Sequence, residues 1–147
     1  MSAIAFPAPD QAIIARRDQI IADLARLLPA DALITSDDER RPYETDGLTA
    51  YRKMPLAVAL PATTQQVAAV MAYCHAAGVP VVARGAGTSL CGGAIPQEDA
   101  VIIGVGKMSR ILEVDYANRV ARVQAGVTNL SITGAPYWPS WTGHSTC

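Results

Sequence analysis

The sequence predicts an α+β chain: a βαβ unit with further strands, preceded by an amino-terminal helix. Three observations carry this. An apolar stripe at helical spacing runs from Asp10 to Leu28. Two short apolar runs, Leu56–Leu60 and Val79–Ala83, flank a second helical pattern that opens at Thr63 and closes at Gly78. Beyond them, three more runs rich in β-branched residues are separated by turn-forming residues.

Each element follows from local chemistry. Ile13, Ile14, Ile20, Ile21, Leu24, Leu27 and Leu28 recur on one side of a helix that Pro29 stops. Asp37 to Arg41 is dense in charge and is expected to be a solvated connecting turn. Leu56–Leu60 reads as a buried strand. Thr63 with Gln66 three residues on forms a capping box, which starts a helix with Val67, Val70, Met71 and Cys74 on one face. Gly78 followed by Pro80 ends it. Val101–Val105 is a third strand, and Ile111–Val114 and Val120–Gln124 form a pair joined by a turn-like linker from Asp115 to Arg119.

Composition bounds the function. The 147 residues are half apolar, with a formal net charge of −1. Near-neutrality gives no electrostatic reason to expect nucleic acid as a partner. No apolar run reaches the ~18 residues of a membrane span, and Arg16 and Arg17 sit inside the first helical pattern, unlike a secretory signal. Three cysteines, Cys74, Cys91 and Cys147, are odd in number and lack metal-ligand spacing. Reduced thiols, a cytoplasmic setting and no metal site are the expectation. Cys74 falls on the apolar helix face, and Cys91 reads as a small filler rather than a nucleophile.

The segment that dominates the functional reading is PVVARGAGTSLCGGAIP, Pro80 to Pro96. Four glycines (Gly85, Gly87, Gly92, Gly93) fall within nine residues and are interleaved with Thr88 and Ser89. Such a backbone can turn successive N–H groups into one concavity, which is how a loop holds a phosphate or diphosphate. Arg84 at the mouth would add a permanently charged donor. Neither common glycine signature fits. The dinucleotide fingerprint requires a glycine where Leu90 stands, and a P-loop requires a lysine where Gly93 stands. A purely structural glycine turn is the alternative.

This loop, with YETDGLTAYRKMPLAVALPATTQQVAAVM (Tyr43 to Met71) before it and RILEVDYANRVARVQAGVTNLSI (Arg110 to Ile132) after it, resembles a known family. That family is the FAD-binding PCMH-type, or vanillyl-alcohol oxidase, superfamily, in its glycolate oxidase and D-lactate dehydrogenase branch. The resemblance covers Tyr43 to Thr133. It implies an amino-terminal helix and connector over 1–42 and the amino-terminal half of an FAD-binding domain over 43–133. It also implies that Arg84, Gly85, Ala86, Gly87, Thr88, Ser89, Gly92 and Gly93 hold the FAD diphosphate. Members oxidise a 2-hydroxy acid by hydride transfer to flavin, so the resemblance implies an FAD-dependent dehydrogenase of glycolate or D-lactate, with other chains of a glycolate oxidase assembly as partners. A truncated flavin-binding module without activity, or an inert fragment, is the alternative.

No catalytic residue is assigned. His75 sits late in its helix and reads as a capping or surface group, and His144 lies in the tail. That tail, residues 134–147, departs from the family, which would continue from Asn129 into an amphipathic helix. Reread in a shifted frame from the last base of the Pro136 codon, its codons can encode Val-Leu-Ala-Glu-Leu-Asp-Gly-Pro-Phe-Tyr-Val. A single-nucleotide slip near codons 134 to 136 is therefore expected, against the alternative of a short protein with an aromatic tail. A chain ending there is expected to bind FAD weakly or not at all and to turn over neither acid.

Overall fold

The computed structural model describes residues 7–135. The readings made for the tail fall almost wholly outside them. Helices α1 (Gln11–Ala15) and α2 (Arg17–Leu27) lead into strand β1 (Leu33–Ile34) and a short helix α3 (Asp37–Arg40). Strand β2 (Ala57–Ala59), helix α4 (Thr64–Ala77) and strand β3 (Val81–Arg84) form the βαβ unit, followed by β4 (Val101–Gly104). Strands β5 (Ile111–Asp115) and β6 (Val120–Val123) make a separate antiparallel hairpin, and α5 (Asn129–Thr133) follows.

The expected single helix over Asp10–Leu28 is broken at Arg16, whose backbone (φ −95°, ψ 11°) leaves the helical region. The start of α1 and the break itself are both anchored to the body of the fold. The Asp10 amide donates to the buried Asp99 carboxylate at 2.7 Å, and Arg16 Nη2 donates to the Ala77 carbonyl in the last turn of α4 at 3.1 Å. The charged stretch from Asp37 is a second correction. It is helical, and Arg40 within it is buried, donating to the carbonyls of Pro55 and Leu56 and to the Asp37 carboxylate. A guanidinium that satisfies backbone carbonyls ahead of β2 behaves as a structural donor rather than as part of a solvated face.

The four-stranded sheet has the order β1-β2-β4-β3. Strand β4 slots between the two strands of the βαβ unit and is parallel to both, with Val58↔Ile102 and Val82↔Ile102 in register. All four of its residues are buried, as expected for a central parallel strand. Ile20 and Leu24 of α2, Val70 and Cys74 of α4, and Ala57, Ala59, Val101 and Ile103 of the sheet form one apolar cluster. The two helices thus cover one face of the sheet. Met71, expected on the apolar side of α4, is 47% exposed; the buried stripe is narrower and Val67, Tyr73 and Ala77 flank it.

The ends of α4 are as the sequence predicts. Thr63 Oγ1 accepts from the Gln66 amide at 3.2 Å, and Gln66 Oε1 accepts from the Ala62 amide at 2.7 Å, one residue earlier than the standard box. Gly78 takes the left-handed conformation at the carboxyl end (φ 67°). Because β3 and β4 run parallel, Gly85 and Val105 leave the sheet at the same edge, the carboxyl-end edge where α/β folds bind ligands.

Candidate functional site

The glycine loop leaves β3 at Arg84 and returns to buried structure at Ala94. Among the described residues, no protein acceptor takes the backbone N–H groups of Gly85, Ala86, Gly87, Thr88, Ser89, Leu90, Gly92 or Gly93. Cys91 differs: its amide donates to Ser89 Oγ at 3.2 Å. Gly87 (φ 70°) and Gly92 (φ 75°) turn the chain through the left-handed region. The result is an exposed run of amides with donors to spare, the arrangement an anionic ligand satisfies.

Arg84 lies beneath this loop rather than at its mouth, which corrects the sequence expectation of its position. It is 9% exposed. Nη1 donates to the Thr45 carbonyl at 2.7 Å and to the Ala94 carbonyl at 3.4 Å, while Nη2 donates to the Pro42 carbonyl at 3.3 Å. The guanidinium carbon stands 5.5 Å from the centre of the Tyr43 ring. A Cβ on Gly87 would come within 2.7 Å of Arg84 Nε and closer still to Cζ and Nη2. The acceptors that Arg84 itself reaches are neutral carbonyls, and the nearby buried carboxylate of Asp46 bonds the backbone amide of the same Ala94.

The segment before β2, part of the stretch from Tyr43 to Met71, forms a wall in which the sequence assigned no site role to Asp46 or Gly47. Asp46 is buried; Oδ1 accepts from the Leu48 amide at 2.8 Å, and Oδ2 accepts from the Ala94 amide at 3.4 Å. A Cβ on Gly47 would fall 2.7 Å from the Thr88 carbonyl oxygen and 2.8 Å from that of Ser89. The Asp-Gly pair in TDGLT was the available signal for a tight turn there.

A cavity of about 370 Å³ opens beside the start of the loop, lined by Gly85, Ala86, Gly106, Ala125, Gly126, Val127 and Thr128. Gly106 follows β4 and Gly126 follows β6, so three chain segments with small side chains converge there. The Gly126 amide donates to the Met108 carbonyl at 2.9 Å, which fixes the second turn against the sheet edge. Of the expected ligands, Gly85 and Ala86 line this cavity. Gly87, Thr88, Ser89, Gly92 and Gly93 extend along the loop away from it. His75 is exposed in the last turn of α4, apart from the loop.

Comparison with known proteins agrees with the geometry. The profile of the FAD binding domain matches residues 55–133, more than half the chain. This chain belongs to the FAD-binding domain family. It is 45% identical over 119 residues to glycolate oxidase subunit GlcD of Escherichia coli K12, a match spanning 81% of this chain and 24% of that protein. It is 38% identical over 101 residues to D-lactate dehydrogenase of Archaeoglobus fulgidus, spanning 68% and 23%. Among solved structures, p-cresol methylhydroxylase with substrate bound aligns with TM-score 0.71 and 23% identity over 84% of this chain and 24% of that one. The 4-ethylphenol oxidase of Gulosibacter chungangensis aligns with TM-score 0.73 and 21% identity over 86% and 25%. These two establish the fold. The chain spans about a quarter of the length of the relatives it matches.

FAD is therefore the cofactor of the family to which the chain belongs. The loop fits the cofactor's diphosphate on three counts: unpartnered amides, small residues that permit close approach, and a cation beneath. Among the described residues no helix is long and apolar enough to cross a membrane, and no cluster of potential metal ligands occurs.

Proposed function

We propose that this chain supplies the diphosphate-holding part of the FAD site of a flavin oxidoreductase whose substrate is a 2-hydroxy acid, glycolate or D-lactate. The observation that carries the reading is the run of amides from Gly85 to Gly93, all but that of Cys91 without a protein acceptor among the described residues, in a loop whose Gly87 lies over the buried guanidinium of Arg84. Gly85, Ala86, Gly87, Thr88, Ser89, Gly92 and Gly93 hold the diphosphate oxygens through their N–H groups. Thr88 and Ser89 add hydroxyl donors. Arg84 contributes its charge from below and fixes the loop's shape. Charge-assisted hydrogen bonds are each worth about 1.5–3 kcal/mol, so a few such donors suffice to orient a dinucleotide.

Bound FAD supplies the two-electron acceptor for the substrate's hydride. The chain's own residues bind and orient; the one described histidine, His75, stands apart from the loop, and the Asp46 carboxylate beside it is taken up by the amides of Leu48 and Ala94. The substrate class rests on the names of the similar proteins, glycolate oxidase subunit GlcD and D-lactate dehydrogenase. Similarity to a protein named as a subunit of glycolate oxidase supports a multi-chain assembly.

Nuclear magnetic resonance of the labelled chain titrated with FAD tests the reading. The amides of 85–93 are expected to shift with weak, saturable affinity, and inorganic pyrophosphate is expected to compete. Shifts confined to residues outside 85–93 would sink it. Glycolate and D-lactate are expected to leave the flavin oxidised in the presence of this chain alone.

A further inference from the structure

We infer that Asp46 and Gly47 are positioning residues for the diphosphate loop, and that the segment from Pro42 to Leu48, ahead of the residues matched by the family profile, is an integral part of the nucleotide site. The inference rests on the proposed role of the loop.

Four contacts tie the segment to the loop, and each falls at a different point along it. At the loop's start, Arg84 donates to the carbonyls of Pro42 and Thr45 and lies against the Tyr43 ring. At its middle, the Gly47 Cα packs so closely on the Thr88 and Ser89 carbonyls that no side chain fits between them. At its far turn, a Cβ on Gly92 would be in ordinary contact, 3.6 Å, with the Leu48 side chain. At its end, Asp46 Oδ2 accepts from the Ala94 amide. The loop has almost no internal hydrogen bonds of its own, so its concave shape is imposed by what it leans on.

Asp46 is suited to this task because a buried carboxylate accepts and never donates. Both of its oxygens face N–H groups, one within its own turn (Leu48) and one across to the loop (Ala94). Packing Gly47 against Thr88 and Ser89 turns those two carbonyls toward the wall. Their neighbouring amides are then left facing the other way, toward a ligand. The geometry thus assigns donor orientation in the loop to a segment some 40 residues earlier in the chain (Gly47 to Thr88 is a separation of 41).

The experiment uses the full chain and three variants, Asp46→Asn, Asp46→Ala and Gly47→Ala, read by amide spectra and by affinity for ADP against AMP. Asp46→Asn leaves one acceptor oxygen where two amides, those of Leu48 and Ala94, now have one each, so the two bonds can no longer be made together. Gly47→Ala leaves the carboxylate in place and pushes on the loop directly. The expected result is that all three move the resonances of 85–94 while those of α4 and β4 stay in place. ADP affinity is expected to fall about tenfold or more, as when an aligned charged hydrogen-bonding site is displaced. The preference for ADP over AMP is expected to collapse, which general destabilisation of the fold would not produce. Unchanged loop resonances in Asp46→Asn and Gly47→Ala, or parallel losses for ADP and AMP, overturn the inference. If the wild-type chain binds neither nucleotide, the diphosphate reading falls, and the loop resonances of the variants still decide whether Asp46 and Gly47 set the loop's shape.

Discussion

The guanidinium of Arg84 lies directly under the Cα of Gly87, three residues further along the same loop. The side chain doubles back beneath the backbone that follows it and ties that backbone to Pro42, Thr45 and Ala94. Only a residue without a Cβ, and with access to φ 70°, can sit above it.

Gly87→Ala is therefore expected to do double damage. The left-handed conformation costs an L-residue about 1–2 kcal/mol, and the new methyl displaces a guanidinium held by three carbonyls. The two sites are coupled, so Gly87→Ala should cost less in an Arg84→Ala background than alone. Urea unfolding of the two single variants and the double variant measures this; additive losses would contradict the contact.

Capping of α4 positions the strand that feeds the loop. Thr63→Ala removes the acceptor for the Gln66 amide and is expected to cost about 1 kcal/mol. The midpoint of thermal unfolding reports it, and Thr63→Ser should restore most of the loss.

The core between α2, α4 and the sheet is tightly filled. Leu24 is wholly buried in it. Leu24→Ala is expected to lower stability by about 2–5 kcal/mol, a large part of the roughly 5–15 kcal/mol that holds a domain. Urea unfolding followed by circular dichroism should show the midpoint lowered with the slope unchanged.

Tyr73 and Asp23 link the two helices through a 2.8 Å hydrogen bond from the phenol to the carboxylate. Hydrogen bonds from Gln19 first and Tyr73 second hold the Asp23 carboxyl below its ordinary 3.8. Partial burial, then the bond to Asp23, pushes the Tyr73 phenol up to about 12 from 10.0. For Asp23, whose folded value is depressed, the linked stability is present above pH 3.8 and is lost as pH falls below it. For Tyr73, whose folded value is raised, it is present below pH 10.0 and is lost as pH rises toward about 12. Tyr73→Phe should flatten the alkaline side of a plot of melting temperature against pH. Tyrosinate absorbance should show one phenol titrating last in the wild-type chain and missing from the variant.

The two described cysteines should react differently. Burial pushes the Cys74 thiol up to about 11, while Cys91 is exposed within the loop. Alkylation at neutral pH followed by peptide mapping should find Cys91 labelled and Cys74 labelled only after unfolding. FAD should slow labelling of Cys91 if the loop closes on the diphosphate.

The local elements could be read from the chain because their causes are local. Thr63, Gln66 and Gly78 set both ends of α4 by hydrogen bonds and dihedral preference within a few residues. The spacing Gly85, Gly87, Gly92, Gly93 marks a loop rich in small residues, and its amides other than that of Cys91 meet no protein acceptor among the described residues. Asp37 to Arg40 was misleading because charge density alone does not distinguish a solvated turn from a buried guanidinium that finds carbonyls in β2's approach.

The βαβ unit, the glycine loop and the kinship with FAD-binding domains are legible along the chain, since each depends on residues close together in it. Only the tertiary structure decided that β4 enters between β2 and β3, that Arg84 braces the loop from beneath, and that Asp46 and Gly47 shape it from a separate segment. Those outcomes rest on contacts between residues dozens of positions apart, which form when burial of the sheet and helices brings the segments together and which no local pattern encodes.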